Sequence, residues 1–144
     1  MVFITIDERS STPLYLQIRD QIVSTIVRGE LEVGETLPSV RKLAGDLGIN
    51  LHTVNKAYAL LQDEGYVRML GRAGTVVADR GEADAEQLLA LADRTADELN
   101  RLALEFSAGG GAEQDFLALA ARAVQNVHAR KPHASRAPHP EKED

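Results

Sequence analysis

Between residues 37 and 77, two short amphipathic helices are followed by a hairpin tipped with glycine, and few folds accommodate that order. Leu43, Ala44 and Leu47 form the apolar stripe of the first helix. Gly48 stops it and Ile49 turns into the core. Asn50 then caps a second helix whose stripe is Val54, Ala57, Tyr58 and Leu61. Opposite that stripe lie His52, Thr53, Asn55 and Lys56. Short polar groups and a cation near a helix N-terminus suit entry into a major groove, because the first turn is the part that reaches base edges. A solvated helix face accounts for these four residues equally well, so the neighbouring elements decide.

Gly65 ends the second helix, and Tyr66-Val67-Arg68-Met69 and Thr75-Val76-Val77 have strand character. Between them Gly71-Arg72-Ala73-Gly74 supplies two residues that tolerate positive φ, so the chain can reverse. Arg72 stands at the tip, where a cation can enter a minor groove or bind phosphate. Upstream, Thr12 is the expected N-cap and Pro13 the first residue of a helix that carries Leu14, Ile18, Ile22 and Ile26 on one face and ends at Gly29. Glu30 to Thr36 reads as a loop turning at Gly34. Ser39 is the expected cap of the next helix, which places Arg41 and Lys42 in its first turn. Gly45 lies inside that helix at a cost of roughly 1 kcal/mol relative to alanine, and reads as a close-packing position. The predicted fold is α+β, with an N-terminal winged helix-turn-helix over 1–78.

The stretch from Pro13 to about Val77 resembles the GntR family of bacterial transcription regulators. Four motifs carry the resemblance: Pro13-Leu14-Tyr15-x-Gln17-Ile18; Leu37-Pro38-Ser39-x-Arg41-x-Leu43-Ala44; Thr53-Val54-x-Lys56-Ala57-Tyr58-x-x-Leu61-x-x-Glu64-Gly65; and Gly71-x-x-Gly74-Thr75. The Ala57-Tyr58 pair and the short remainder resemble the YtrA-type subgroup. The resemblance implies DNA contacts by the arginine of the first helix of the pair, the start of the recognition helix and the wing glycine. These positions match Arg41, His52, Thr53 and Gly74. Many relatives carry arginine where this chain has Leu51 and Asn55. Leu51 offers only apolar contact, while Asn55 can pair with adenine or reach phosphate.

A net charge of −6 argues against a nucleic-acid partner until the chain is divided. Residues 79–144 hold 8 Lys and Arg against 13 Asp and Glu, a balance of −5; residues 1–78 hold 8 against 9, or −1. Within 39–78, Arg41, Lys42, Lys56, Arg68 and Arg72 outnumber Asp46, Asp63 and Glu64, so the local field can favour DNA. The chain has no cysteine, which excludes thiol chemistry. No apolar run reaches the ~18 residues a membrane span needs, and no basic stretch precedes Val2–Ile6, so the expectation is a cytoplasmic chain without a secretion signal. Val2, Ile4 and Ile6 alternate, which suggests a short strand or an extended arm.

Asp79-Arg80-Gly81 marks the expected boundary to a short all-α segment over 79–130. A helix over about 82–107 carries a seam of Leu88, Ala92, Thr95, Leu99, Leu102 and Phe106. Gly109-Gly110-Gly111 breaks it, and a second helix over about 112–129 places Phe116, Ala120, Ala123, Val124 and Val127 on one side. Two helices cannot bury both seams alone. A second copy of the chain is the expected cover, with Leu88, Ala92, Leu99, Leu102, Phe106, Phe116 and Val124 at the dimer interface; folding back onto the first domain is the alternative. Residues 131–144 are expected to be a disordered tail. His128, His133 and His139 have no accompanying carboxylate in ligand spacing, so no metal is expected. No nucleophile–base pair or phosphate loop is present, so neither an enzyme nor a cofactor is expected. The expected function is a sequence-specific DNA-binding regulator, a repressor that meets an inverted-repeat operator as a homodimer. Its DNA-binding residues would be Arg41, Lys42, Asn50, His52, Thr53, Asn55, Lys56, Arg72 and Gly74. Any small-molecule inducer is unknown and would have to bind between helices or at the subunit interface. The alternative is a winged-helix module that meets another protein.

Overall fold

The computed structural model describes residues 2–129; the tail expected over 131–144, with His133 and His139, lies outside the described residues. The chain runs α1 (Leu14–Val27), β1 (Thr36–Leu37), α2 (Val40–Leu47), α3 (Leu51–Asp63), β2 (Val67–Met69), a 3₁₀ turn (Gly71–Ala73), β3 (Thr75–Val77), α4 (Ala85–Ala108) and α5 (Glu113–His128). The strands form one antiparallel sheet in the order β1-β3-β2, with Thr36 opposite Val76 and Arg68 opposite Val76 on the other side. Together these elements make the expected winged helix-turn-helix followed by a helical C-terminal part.

α1 begins one residue later than its composition suggests. Pro13 itself is the cap, in an extended conformation (φ −53°, ψ 145°), and its carbonyl accepts from Leu16 and Gln17. Thr12 makes no side-chain cap; its carbonyl instead accepts from Gln17 Nε2 at 2.8 Å. The alternating segment at the N-terminus is an extended arm, not a strand. Two glutamines one turn apart on α1 hold it. Gln21 exchanges two hydrogen bonds with the backbone of Thr5, and Gln17 exchanges two with Asp7, all between 2.7 and 2.9 Å. Side-chain amides thus satisfy backbone groups that a neighbouring strand would otherwise satisfy. Val2, Ile4 and Ile6 consequently pack against the core.

The expected stripes meet in that core. Ile18 and Ile22 from α1, Leu43 and Ala44 from α2, Val54, Ala57, Tyr58 and Leu61 from α3, and Val67 and Val77 from the sheet are all buried. Truncating one of the larger aliphatic residues to alanine costs on the order of 2–5 kcal/mol. Tyr58 brings the one polar atom its position needs to satisfy: its hydroxyl donates to the Pro38 carbonyl at 2.6 Å, which pins the start of α2 to the middle of α3. Burial pushes the phenol well above its ordinary range. The loop expected over 30–36 ends in a strand. β1 is only two residues long and exists because Thr36 and Leu37 pair with β3. Gly45 is not a packing position: a Cβ there would meet nothing within 4 Å.

Arg19 of α1 forms a two-pronged ion pair with Glu64 at the end of α3. The guanidinium of Arg80, just after β3, lies 4.2 Å from the centroid of Tyr66. The hydrogen bond from Arg19 holds the Glu64 carboxyl below its usual range. A carboxylate lowered in the folded state stabilises the fold above its unfolded pKa, and loses that effect as pH falls through the folded value. Glu64→Gln should therefore be less stable than wild type at neutral pH, and the gap should close as pH drops below about 4. Urea melts across pH read this directly, and a gap independent of pH would show that the ion pair contributes nothing.

α4 starts at Ala85 rather than near 82. Asp84 caps it through Gln87 N at 2.8 Å, while Gln87 Oε1 accepts from Asp84 N, a reciprocal capping box. Gly109–Gly111 ends the helix. Gly110 takes φ 95°, and a Cβ on Gly111 would fall 2.2 Å from the Phe106 ring. That ring packs on Phe116 with centroids 5.7 Å apart. Phe106 and Phe116 meet each other within one chain and close the α4–α5 corner, and both stay partly exposed. α5 also lies beside α1. The fold-back is partial: Leu88, Leu99 and Leu102 on α4, and Leu117 and Val124 on α5, stay exposed.

Candidate nucleic-acid interface

Local sequence sets the helix pair. Ser39 Oγ accepts from Lys42 N at 3.0 Å and starts α2, leaving Leu43 and Ala44 inward and Arg41 and Lys42 outward. Gly48 adopts the left-handed conformation (φ 65°), and Ile49 N donates back to the Ala44 carbonyl. Asn50 Oδ1 then accepts from His52 N at 2.8 Å and starts α3. The pair is thus joined by three residues that all have structural tasks. The Oδ1 of Asn50, a residue expected to contact DNA, is already engaged as a cap.

α3 presents His52, Asn55 and Lys56 to solvent, while Thr53 is half-buried on one flank. From Leu37 to Gln62 the only acid is Asp46, and from Gly65 to Ala78 there is none. Asp46 is answered by Lys42, whose Nζ lies 2.9 Å from its carboxylate across one helical turn. Such an exposed pair is worth only about 0.3–0.5 kcal/mol, so Lys42 remains available to a phosphate. Lys56 leans over Tyr15 of α1, with Nζ 3.9 Å from the ring centroid. This cation–π contact holds the ammonium beside α1. Arg41 and Arg72, with Arg68 on β2, have no ion-pair partner among the described residues.

The wing is built by its glycines. Gly71 has φ 62°; Gly74 has φ 88° and ψ −163°, a region essentially reserved for glycine. Leu70 N donates to the Gly74 carbonyl at 2.8 Å and closes the turn, which leaves Arg72 exposed at its tip. The wing is also tied to α3, because Gln62 Oε1 accepts from Met69 N at 2.7 Å. Arg41, the outer face of α3 and Arg72 therefore sit on mutually anchored elements. Arg68 is not among the DNA-binding residues expected from the sequence. The strand alternation that buries Val67 and exposes Arg68 is the signal that could have placed it. Among the described residues, no group of three or more His, Asp or Glu is placed to hold a metal ion. No helix there is long and apolar enough to cross a membrane.

Comparison with known proteins agrees with this geometry. The family described as bacterial regulatory proteins, gntR family, matches residues 14–77, from the first residue of α1 to the last of β3. The HTH-type transcriptional repressor YtrA of Bacillus subtilis (strain 168) is 42% identical over 79 residues, 55% of this chain and 61% of its own length. The uncharacterized HTH-type transcriptional regulator YhcF of the same organism is 37% identical over 97 residues, 67% of this chain and 74% of its own length. This chain thus spans less than two thirds of YtrA and about three quarters of YhcF. The crystal structure of a transcriptional antiterminator from Listeria monocytogenes EGD-e shares 27% identity and a TM-score of 0.75, covering 90% of this chain and 95% of that one. That likeness extends through the C-terminal helices. With the matched region coinciding with the helix pair, its supporting helix and the wing, the chain belongs to the GntR family of bacterial regulatory proteins, among relatives of the YtrA type.

Proposed function

We propose that this protein is a transcriptional repressor that binds an inverted-repeat DNA operator as a homodimer in the cytoplasm. The observation that carries the reading is the outer face of α3, free of acid for three turns and flanked by the guanidiniums of Arg41 and Arg72, which have no ion-pair partner among the described residues. α3 enters the major groove with His52, Asn55 and Lys56 toward the duplex. Arg72 reaches the adjacent minor groove or backbone, and Thr53, Asn50 Nδ2, Lys42 and the Gly74 backbone meet phosphates at the rim. The segment over 79–130 is the dimerisation unit. It joins copies through the exposed seam of Leu88, Ala92, Leu99 and Leu102 on α4 and Val124 on α5.

Asn55 presents an acceptor and a donor together, the pattern that matches adenine N6 and N7. Selection from a randomised duplex pool should yield an inverted repeat containing an A·T pair that becomes degenerate with Asn55→Ala. An identical base profile for both proteins would assign Asn55 to phosphate and base discrimination to Arg41. Failure to enrich any duplex would refute the DNA-binding reading itself.

A further inference from the structure

We propose that Leu51 reads the 5-methyl group of a thymine in each half-site, a specificity contact that rests on the DNA-binding reading above. Isolated leucines on a protein surface carry no message by themselves. Leu51 differs in its surroundings. Ile49 and Val54, on either side of it in the chain, pack with the core, whereas Leu51 remains 41% exposed at the first position of α3. Its backbone is fixed, because Asn50 caps the helix immediately before it and Tyr58 locks α3 to α2 one turn beyond Val54. The side chain is therefore held at the edge of an otherwise polar face rather than left to fold inward.

Asn55 is exposed on the same flank, one turn further along the helix. The pair presents an apolar group beside an amide. In the major groove the base edges offer hydrogen-bonding atoms, and thymine adds a methyl group. An amide aligned with adenine and a leucine aligned with a thymine methyl together specify A·T-containing sequence without arginine's fork for guanine. Replacing that thymine by cytosine or uracil leaves the leucine facing a surface without the methyl. Loss of one buried methyl corresponds to about fourfold in affinity, and to about 15-fold when both half-sites lack it.

The test uses the full chain and the duplex it selects from a randomised pool. Each thymine of the half-site is replaced in turn by deoxyuridine, symmetrically in both halves, which removes only the methyl. Wild type should lose about 15-fold at one position. Leu51→Ala should bind the thymine duplex more weakly and lose the discrimination at that position, while Leu51→Met retains it. Circular dichroism melting separates this from misfolding, since Leu51 lies outside the core. Indifference of wild type to uracil at every position would overturn the inference and leave the DNA-binding reading standing. So would full discrimination by a folded Leu51→Ala. If no duplex is selected at all, both readings fall.

Discussion

The double variant Leu99→Asp, Leu102→Asp is expected to sediment as a folded monomer. The two side chains are 45% and 47% exposed on one face of α4, three residues apart, and belong to no contact within the core. In a dimer the seam would bury them, and two carboxylates per chain without partners cannot be accommodated there. The winged helix should keep its melting behaviour, because its core is built entirely from residues before α4. Operator affinity should fall on the order of 100-fold, since the second half-site no longer gains from being tethered to the first. A folded variant whose mass in light scattering stays that of a dimer would place the interface on another surface.

Arg41→Ala and Arg72→Ala should each weaken operator binding by about tenfold per subunit, and by on the order of 100-fold for the dimer. Neither arginine has an ion pair to lose among the described residues, so the loss falls on binding and leaves folding stability unchanged. If a residue touches only phosphate, affinity drops on every duplex and the salt slope flattens by about one unit per contact. If it reads a base, preference relaxes at one position. Lys56→Ala and Lys42→Ala should each act more weakly, because each ammonium already has a contact, with Tyr15 and with Asp46 respectively. Unimpaired binding by both arginine variants would remove α2 and the wing from the interface.

The features legible in the sequence are those with local causes. Ser39 and Asn50 cap helices because their side chains reach backbone N–H groups two or three residues on. Gly48, Gly65, Gly71 and Gly74 all take positive φ, which marks the turns around the helix pair and the wing. What escaped depends on distant partners. β1 has no periodicity to detect in two residues and is defined only by β3. The arm follows Gln17 and Gln21, whose role is invisible without α1 beneath it. Lys56 reads as a free cation until Tyr15 is brought under it. The inward turn of Phe106 onto Phe116 needed the α4–α5 corner, and the open space at Gly45 needed the packing of α2 on α3. The capping box at Asp84 and Gln87 was readable from its spacing and would have moved the start of α4 to its observed place.

The central claim, that this face binds duplex DNA, is tested most directly by the salt dependence of wild-type affinity for its selected duplex. Three phosphate contacts per subunit, from residues such as Arg41, Arg72 and Lys56, predict a slope of log affinity against log salt of about −5 for the dimer. A slope near zero, or no binding to any duplex at low salt, would contradict the account and assign the outer face of α3 to a protein partner.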